Sequence, residues 1–380
     1  ARYMIPLSLY IHFPWCIQKC PYCDFNSHQL KNDSYEVDYV DALLADIVEI
    51  VPKIWGRTIR TIFIGGGTPS LMKPDDMARL ISGLRSYLIL DPHAEITMEA
   101  NPGTVDANYF KAYHDIGINR ISIGIQSLND DHLKKLGRIH QSDEAKRAVQ
   151  IARDAGFDNI NCDLMFALPD QTVKQALSDL QGVIDLKPDH ISHYQLTMEP
   201  NTYFYKYPPK LPESELIEEM QLQSYALLKA NGYQHYEVSA FAKAGHQSRH
   251  NRNYWEFGDY IGIGAGAHGK ITMQGESRIL RTSIEKHPSQ YLKKNASERV
   301  VIEEVINEEL PFEFMLNALR LKHGIEETIF SERTFLPITV IEDRLNLLQK
   351  RGLIVRENGQ LNTTDQGFLF LNNVLSEFID

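Results

Sequence analysis

Along roughly the first half of the chain, short runs dense in apolar and β-branched residues alternate with longer stretches in which apolar residues recur every three or four positions. Runs at residues 7–12, 60–64, 95–100, 120–125, 159–165 and 190–195 predict six strands, each followed by enough chain for a crossover helix. Regular strand–helix alternation predicts parallel strands with right-handed crossovers, in a doubly wound sheet or a partial barrel. Glycines and polar residues gather where each run ends. These endings are the Cys16–Cys23 loop, Gly65-Gly66-Gly67-Thr68-Pro69, Glu99-Ala100-Asn101-Pro102, Gln126, Asp163, and Gln195 with Thr197. Parallel α/β folds place their sites at that edge, so six polar endings predict one shared mouth.

Beyond residue 200 the pattern changes. A Pro- and Tyr-rich stretch at 200–212 precedes an amphipathic helix at 214–231 and a region rich in Gly, His and aromatics, with His250-Asn251-Arg252-Asn253-Tyr254-Trp255 and a glycine run ending at His268-Gly269. Helical segments at 311–321 and 340–351, strands at 353–356 and 360–363 around a glycine turn, and a closing helix predict a small winged-helix-like α+β domain. The expected division is 1–210, 211–298 and 299–380. Residues 301–380 carry 14 acidic against 7 basic side chains, a poor surface for reading DNA. The whole chain has a net charge of −11, which argues against nucleic acid as a partner. No apolar run is long enough to span a bilayer, and the first residues lack a basic segment followed by an apolar one. A cytoplasmic protein is expected, with peripheral contact at the inner membrane face left open.

Chemistry concentrates in the cysteines. Of four, three crowd into Cys16, Cys20 and Cys23, while Cys162 lies alone in an apolar strand and is expected in the core. Such clustering points to a metal site in a reducing compartment. Structural zinc wants four closed ligands, usually in two pairs. A zinc site here would need His12 or His28 to complete it. Three thiolates on a four-iron cluster would instead leave one iron open.

The stretch Tyr10-Ile-His-Phe-Pro-Trp-Cys16-Ile-Gln-Lys-Cys20-Pro-Tyr22-Cys23-Asp-Phe25 resembles the radical S-adenosylmethionine superfamily, and its flanks resemble the HemN/HemW branch. Gly65–Pro69, Glu99 in MEANPG, SIGIQS at 122–127, LGRIH at 136–140 and the strand with Asp163 follow in that branch's order. The resemblance covers nearly the whole chain. It implies a partial (β/α)6-type barrel with a smaller C-terminal winged-helix-like domain. It also implies a 4Fe–4S cluster on Cys16, Cys20 and Cys23, whose open iron takes the methionine end of S-adenosylmethionine for one-electron cleavage. Tyr10, Tyr22, Gly66, Gly67, Thr68, Glu99, Gln126, Arg138 and Asp163 fall on its nucleotide-binding positions. The glycines there are expected to let the cofactor approach the backbone.

The coproporphyrinogen dehydrogenases of this branch have a fourth cysteine where this chain has Phe25, and an alanine near their second cofactor where it has Thr197. Phe25 and the His250-Asn251-x-x-Tyr254-Trp255 motif resemble the HemW group of haem chaperones. That resemblance implies haem ligation by His250, with Tyr254 and Trp255 as support, and delivery of haem to respiratory acceptor proteins. The competing readings are a radical decarboxylase acting on a tetrapyrrole and a zinc-stabilised binding module.

Overall fold

Strands form where the apolar runs predict them: β1 (Leu7–Phe13), β2 (Thr58–Gly66), β3 (Ile89–Ala100), β4 (Arg120–Gln126), β5 (Ile160–Phe166) and β6 (His190–Gln195). The computed structural model describes residues 4–23, 26–30 and 38–380. Neighbours β1 to β6 pair in order and in parallel. Helices Tyr39–Ile50, Pro74–Tyr87, Ala107–Ile116, Ser142–Asp154 and Val173–Asp185 lie between them in the chain. Their apolar stripes bury on the sheet, as in Ala145, Ala148, Val149 and Ala152 of one helix. Val173–Asp185 starts with a capping box of Thr172 and Gln175, which satisfies two of its otherwise orphaned donors.

The sheet continues past the six predicted strands. β7 (Gln234–Glu237) and β8 (Ala240–Ala242) extend the β6 edge. At the other edge β9 (Asp259–Ile263) adds a seventh parallel strand against β1, followed by antiparallel β10 (His268–Met273), β11 (Arg278–Ile284) and β12 (Val300–Glu304). The order is β12-β11-β10-β9-β1-β2-β3-β4-β5-β6-β8-β7, twelve strands in all. Residues 300–304, beyond the expected boundary at 299, thus still belong to the large sheet.

Along β1, Leu7, Leu9, Ile11 and Phe13 are buried apolar residues, and Ser8, Tyr10 and His12 alternate with them. Alternation puts the two sets on opposite faces. The register aligns the second set with Thr61 and Phe63 of β2, these with Glu95 and Thr97 of β3, and onward to Arg120, Ser122, Asn161, Asp163, His190 and Ser192. The concave face is therefore polar. At its centre buried groups pair with one another: Asn161 donates to Ser122 Oγ and Asp163 Oδ1, both at 2.9 Å, and His190 Nδ1 lies 2.6 Å from Asn161 Oδ1.

The helix Arg249–Trp255 closes the end of this face where the strands begin. Glu95 accepts the backbone N–H groups of Arg249 and His250, and Asn253 donates to Ser8 Oγ at 3.0 Å. A second core, including Phe314, Phe330, Leu345 and Leu348, fills the C-terminal region. There the helices expected at 311–321 and 340–351 form as Leu310–Ala318 and Glu342–Lys350, and the strands expected at 353–356 and 360–363 form as the hairpin Ile354–Glu357 with Gln360–Thr363. Ile325–Glu326 adds a short third strand that the sequence pattern did not signal.

Candidate functional site

The cysteine loop leaves β1 and is clasped to β2 by its backbone. Gly67 N–H donates to Phe13 O at 2.6 Å and Thr68 N–H to Trp15 O at 2.7 Å. A Cβ on Gly67 would stand 2.2 Å from Trp15 O, and Gly66 holds φ at +116° with Phe13 O 2.6 Å from the position of its missing side chain. Besides lining the cleft where the sequence expects cofactor approach, these glycines serve loop–strand contact, the Gly67 amide facing the Phe13 carbonyl and the Gly66 amide facing the Glu99 carboxylate. Gly67→Ala is expected to lower cluster loading at least severalfold by lifting the loop off β2, checked by iron content after reconstitution.

The loop brings Cys16, Cys20 and Cys23 into one cleft of about 400 Å3 with Tyr22, Gly66, Gly67, Thr68, Glu99, Gln126, Arg138 and Asp163. All but one of the residues expected to hold the cluster and the nucleotide therefore meet there. Burial pushes the Cys16 thiol up to about 11, and the neighbouring Cys23 adds to it. A buried thiol of this kind becomes a stable thiolate only beside a cationic partner, which fits an iron–sulfur cluster held by the three cysteines. Among the described residues no three His, Cys, Asp or Glu side chains converge on a point that would hold a single ion. His12 has both ring nitrogens engaged, Nδ1 with Tyr10 OH at 2.8 Å and Nε2 with Asn26 O at 2.6 Å. Phe25 lies outside the described residues. Cys162 is fully buried in β5, in the core as expected.

Across the cleft stand two carboxylates. Burial raises Glu99 to about 8, and the facing Asp163 contributes, while the Gly66 amide opposes the shift. Burial also raises Asp163, against hydrogen bonding from Asn161 and the charge of Arg120. Both shifts are upward because the pair shares a dry site. The ligand-free protein thus holds a proton on Glu99 at neutral pH. This favourable protonation is present below the unfolded value near 4.5 and is lost as pH rises through about 8. A cationic ligand prefers the ionised pair. Affinity for S-adenosylmethionine is therefore expected to rise between about pH 6 and 9 with proton release. Calorimetry in buffers of differing ionisation enthalpy would read this, and a pH-independent affinity would contradict it.

Arg138 donates to Gly124 O at 2.9 Å and reaches Cys20 Sγ at 3.6 Å and Tyr22 OH at 3.5 Å. It ties the cluster loop to β4. Gln126 ends β4 with φ at +68°, a left-handed conformation unusual for a residue with a side chain, at a register shift against β5. Ser27, Ser122, Tyr194 and Glu199 also line the cleft and were not singled out in the sequence. For Ser122 and Tyr194 the available signal was strand alternation, since both share the concave face with Asp163.

Tyr10 faces a second cavity of about 800 Å3 instead, together with His12, Tyr254, Trp255, Tyr260 and His268. Lys19 and Cys23 line both cavities. The His250 ring does not face either one. It is 1% exposed, stacked on Phe63 at 5.2 Å. Its Nδ1 lies 2.7 Å from Thr61 Oγ1 and its Nε2 lies 2.7 Å from Tyr254 OH. Thr61 donates its own proton to Ser8 Oγ, so Nδ1–H of His250 donates to Thr61 and Nε2 accepts from Tyr254. Burial pushes this imidazole down to about 3, keeping it neutral. The sequence reading made His250 a haem ligand. In this structure neither nitrogen carries a free lone pair, and the Tyr254 phenol would have to leave before Nε2 met a metal.

The model of the radical SAM superfamily matches residues 10–181, and that of the HemN C-terminal domain matches residues 306–370. Proteins named heme chaperone HemW are 49% identical in Escherichia coli (strain K12) and 47% in Haemophilus influenzae, each alignment covering 98% of both chains. The HemW of Bacillus subtilis is 34% identical, over 98% of this chain and 99% of its own. Among solved structures, coproporphyrinogen III oxidase (HemN) of Escherichia coli superposes with a TM-score of 0.83 at 24% identity, covering all of this chain and 91% of its own. That likeness speaks for the fold.

Proposed function

The chain belongs to the HemW family of heme chaperones within the radical SAM superfamily, and from that membership we propose that it carries haem beside a 4Fe–4S cluster and S-adenosylmethionine. Cys16, Cys20 and Cys23 would hold the cluster. Tyr22, Gly66, Gly67, Thr68, Glu99, Gln126, Arg138 and Asp163 would hold the nucleotide, with the two glycines also fixing the loop. Together those two groups supply one-electron cleavage of a sulfonium when bound.

The chain's own residues prepare the site. Glu99 and Asp163 offer paired negative charge to a cationic ligand. Arg138 anchors the loop from the opposite side, and Tyr22 presents an aromatic ring buried against Phe204 and Met165. The helix Arg249–Trp255 covers the far end of the concave face. Acceptors of the haem are proposed to be respiratory proteins, approached at the inner membrane face. No helix among the described residues is long and apolar enough to cross a membrane.

The observation that carries this reading is the pair of cavities meeting at the cysteine loop, one lined by thiols and carboxylates and the other by aromatics and cations. Phe25 in place of a fourth cysteine weighs against the decarboxylase alternative. Anaerobically reconstituted protein is expected to bind ferric haem near one equivalent and leave coproporphyrinogen III unconverted. Absence of haem binding, or turnover of the porphyrinogen, would overturn the reading.

A further inference from the structure

The second cavity lies on the concave face of β1, β9, β10 and β11, under the helix Leu310–Ala318. Register places Tyr260 across from Lys270, Lys270 across from Arg281 and His268 across from Ser283, so these side chains share one face. Its volume of about 800 Å3 is at the upper end of small-molecule sites, where a macrocycle fits. Tyr254, Trp255 and Tyr260 give it flat apolar walls.

Its charge is opposite to that of the chain. Lys19, Lys270, Arg281 and Lys286 line it against the single carboxylate of Glu313, in a protein of net charge −11. Lys270 pairs with Asp259 and Arg281 with Glu313. Lys19 and Lys286 have no ion-pair partner among the described residues. Such a wall suits a flat ligand carrying carboxylates at its edge.

Two histidines line this cavity, and they differ in the way that matters for a metal. Both nitrogens of His12 are hydrogen-bonded. His268 is exposed, and no hydrogen bond to its ring occurs among the described residues. Partial burial, with Lys286 and Arg281 nearby, holds it below its ordinary value, so a lone pair is available at neutral pH. His250 touches the cavity only through the phenol of Tyr254, which it accepts from.

Resting on the haem-carrier reading above, we propose that this cavity seats an iron tetrapyrrole with His268 supplying the axial nitrogen, the cationic wall facing its carboxylates, and His250 acting as a positioning residue through Tyr254. Ligation forms one Fe–N bond from a neutral imidazole and needs no redox partner.

The test is titration of full-length protein with ferric haem, read by Soret absorption and electron paramagnetic resonance. His268→Ala is expected to lower affinity roughly tenfold or more and to lose the histidine-ligated spectrum, with free imidazole restoring it. Because His268 is exposed, the variant should keep its fold, which circular dichroism checks. His250→Gln is expected to weaken binding yet keep the histidine-ligated spectrum at saturation. Lys286→Glu should weaken haem binding but not binding of the haem dimethyl ester. Wild-type affinity and spectrum in His268→Ala, or loss of the signature in His250→Gln alone, would overturn the proposal and leave the carrier reading intact. Failure of the wild-type protein to bind haem would instead remove that reading itself.

Discussion

Cys20→Ser is expected to reduce iron after anaerobic reconstitution from about four per chain to near zero, with loss of the broad iron–sulfur absorption. The thiol is one of three facing the cleft, and a serine hydroxyl is a harder, far more basic ligand that stays protonated at neutral pH. The fold should survive the change. The loop is held by Gly67 and Thr68, just past the end of β2, and by the Trp15–Cys16 pairing with His28–Gln29, none of which uses the Cys20 sulfur. Cys162→Ser is the control, since that residue lies in the core outside the cleft and should leave iron content unchanged. Equal iron in both variants would remove Cys20 from the ligand set.

The second large effect concerns stability. Asp259 is fully buried at the start of β9, with Arg57 at 2.9 Å and Lys270 at 3.2 Å. It also accepts from the Thr272 amide at 2.9 Å and hydroxyl at 2.8 Å. Replacing it by alanine leaves two cations and two donors without their acceptor in a dry interior. The expected loss is about 3–5 kcal/mol, the range for breaking a buried ion pair from one side. Urea unfolding would show it as a lower midpoint. Arg79→Ala removes an exposed pairing with Asp41 and is expected to cost under about 1 kcal/mol. Similar losses in the two variants would mean that the Asp259 cluster is not buried as described.

The first six strands were legible because apolar runs of strand length stood between amphipathic segments, and each ended in glycine or a polar residue. The polar concave face was written there too, in the alternation of Ser8, Tyr10 and His12 with Leu7, Leu9 and Ile11. What stayed hidden has a physical reason. β9 to β12 mix glycine or charged residues among their apolar ones (DYIGI, HGKITM, RILRTSI and VVIEE), so their runs stand out less from the surrounding chain than those of the first six strands. The second cavity joins Tyr10 and Lys19 to residues beyond 250, a proximity created by the pairing of β9 with β1. His250 shows the limit of motif reading. The motif marked an important helix, yet whether its imidazole faces a ligand or the barrel floor is decided by Thr61 and Tyr254.

Lys19 and Cys23 form part of the wall between the two cavities, so an occupant on either side presses on the same short stretch of chain. Thermodynamic linkage then imposes reciprocity. Whatever factor one occupant adds to or takes from the other's affinity must be returned unchanged in the opposite direction. A carrier built this way can grip or release its load according to the state of its neighbour, with no hinge and no moving domain.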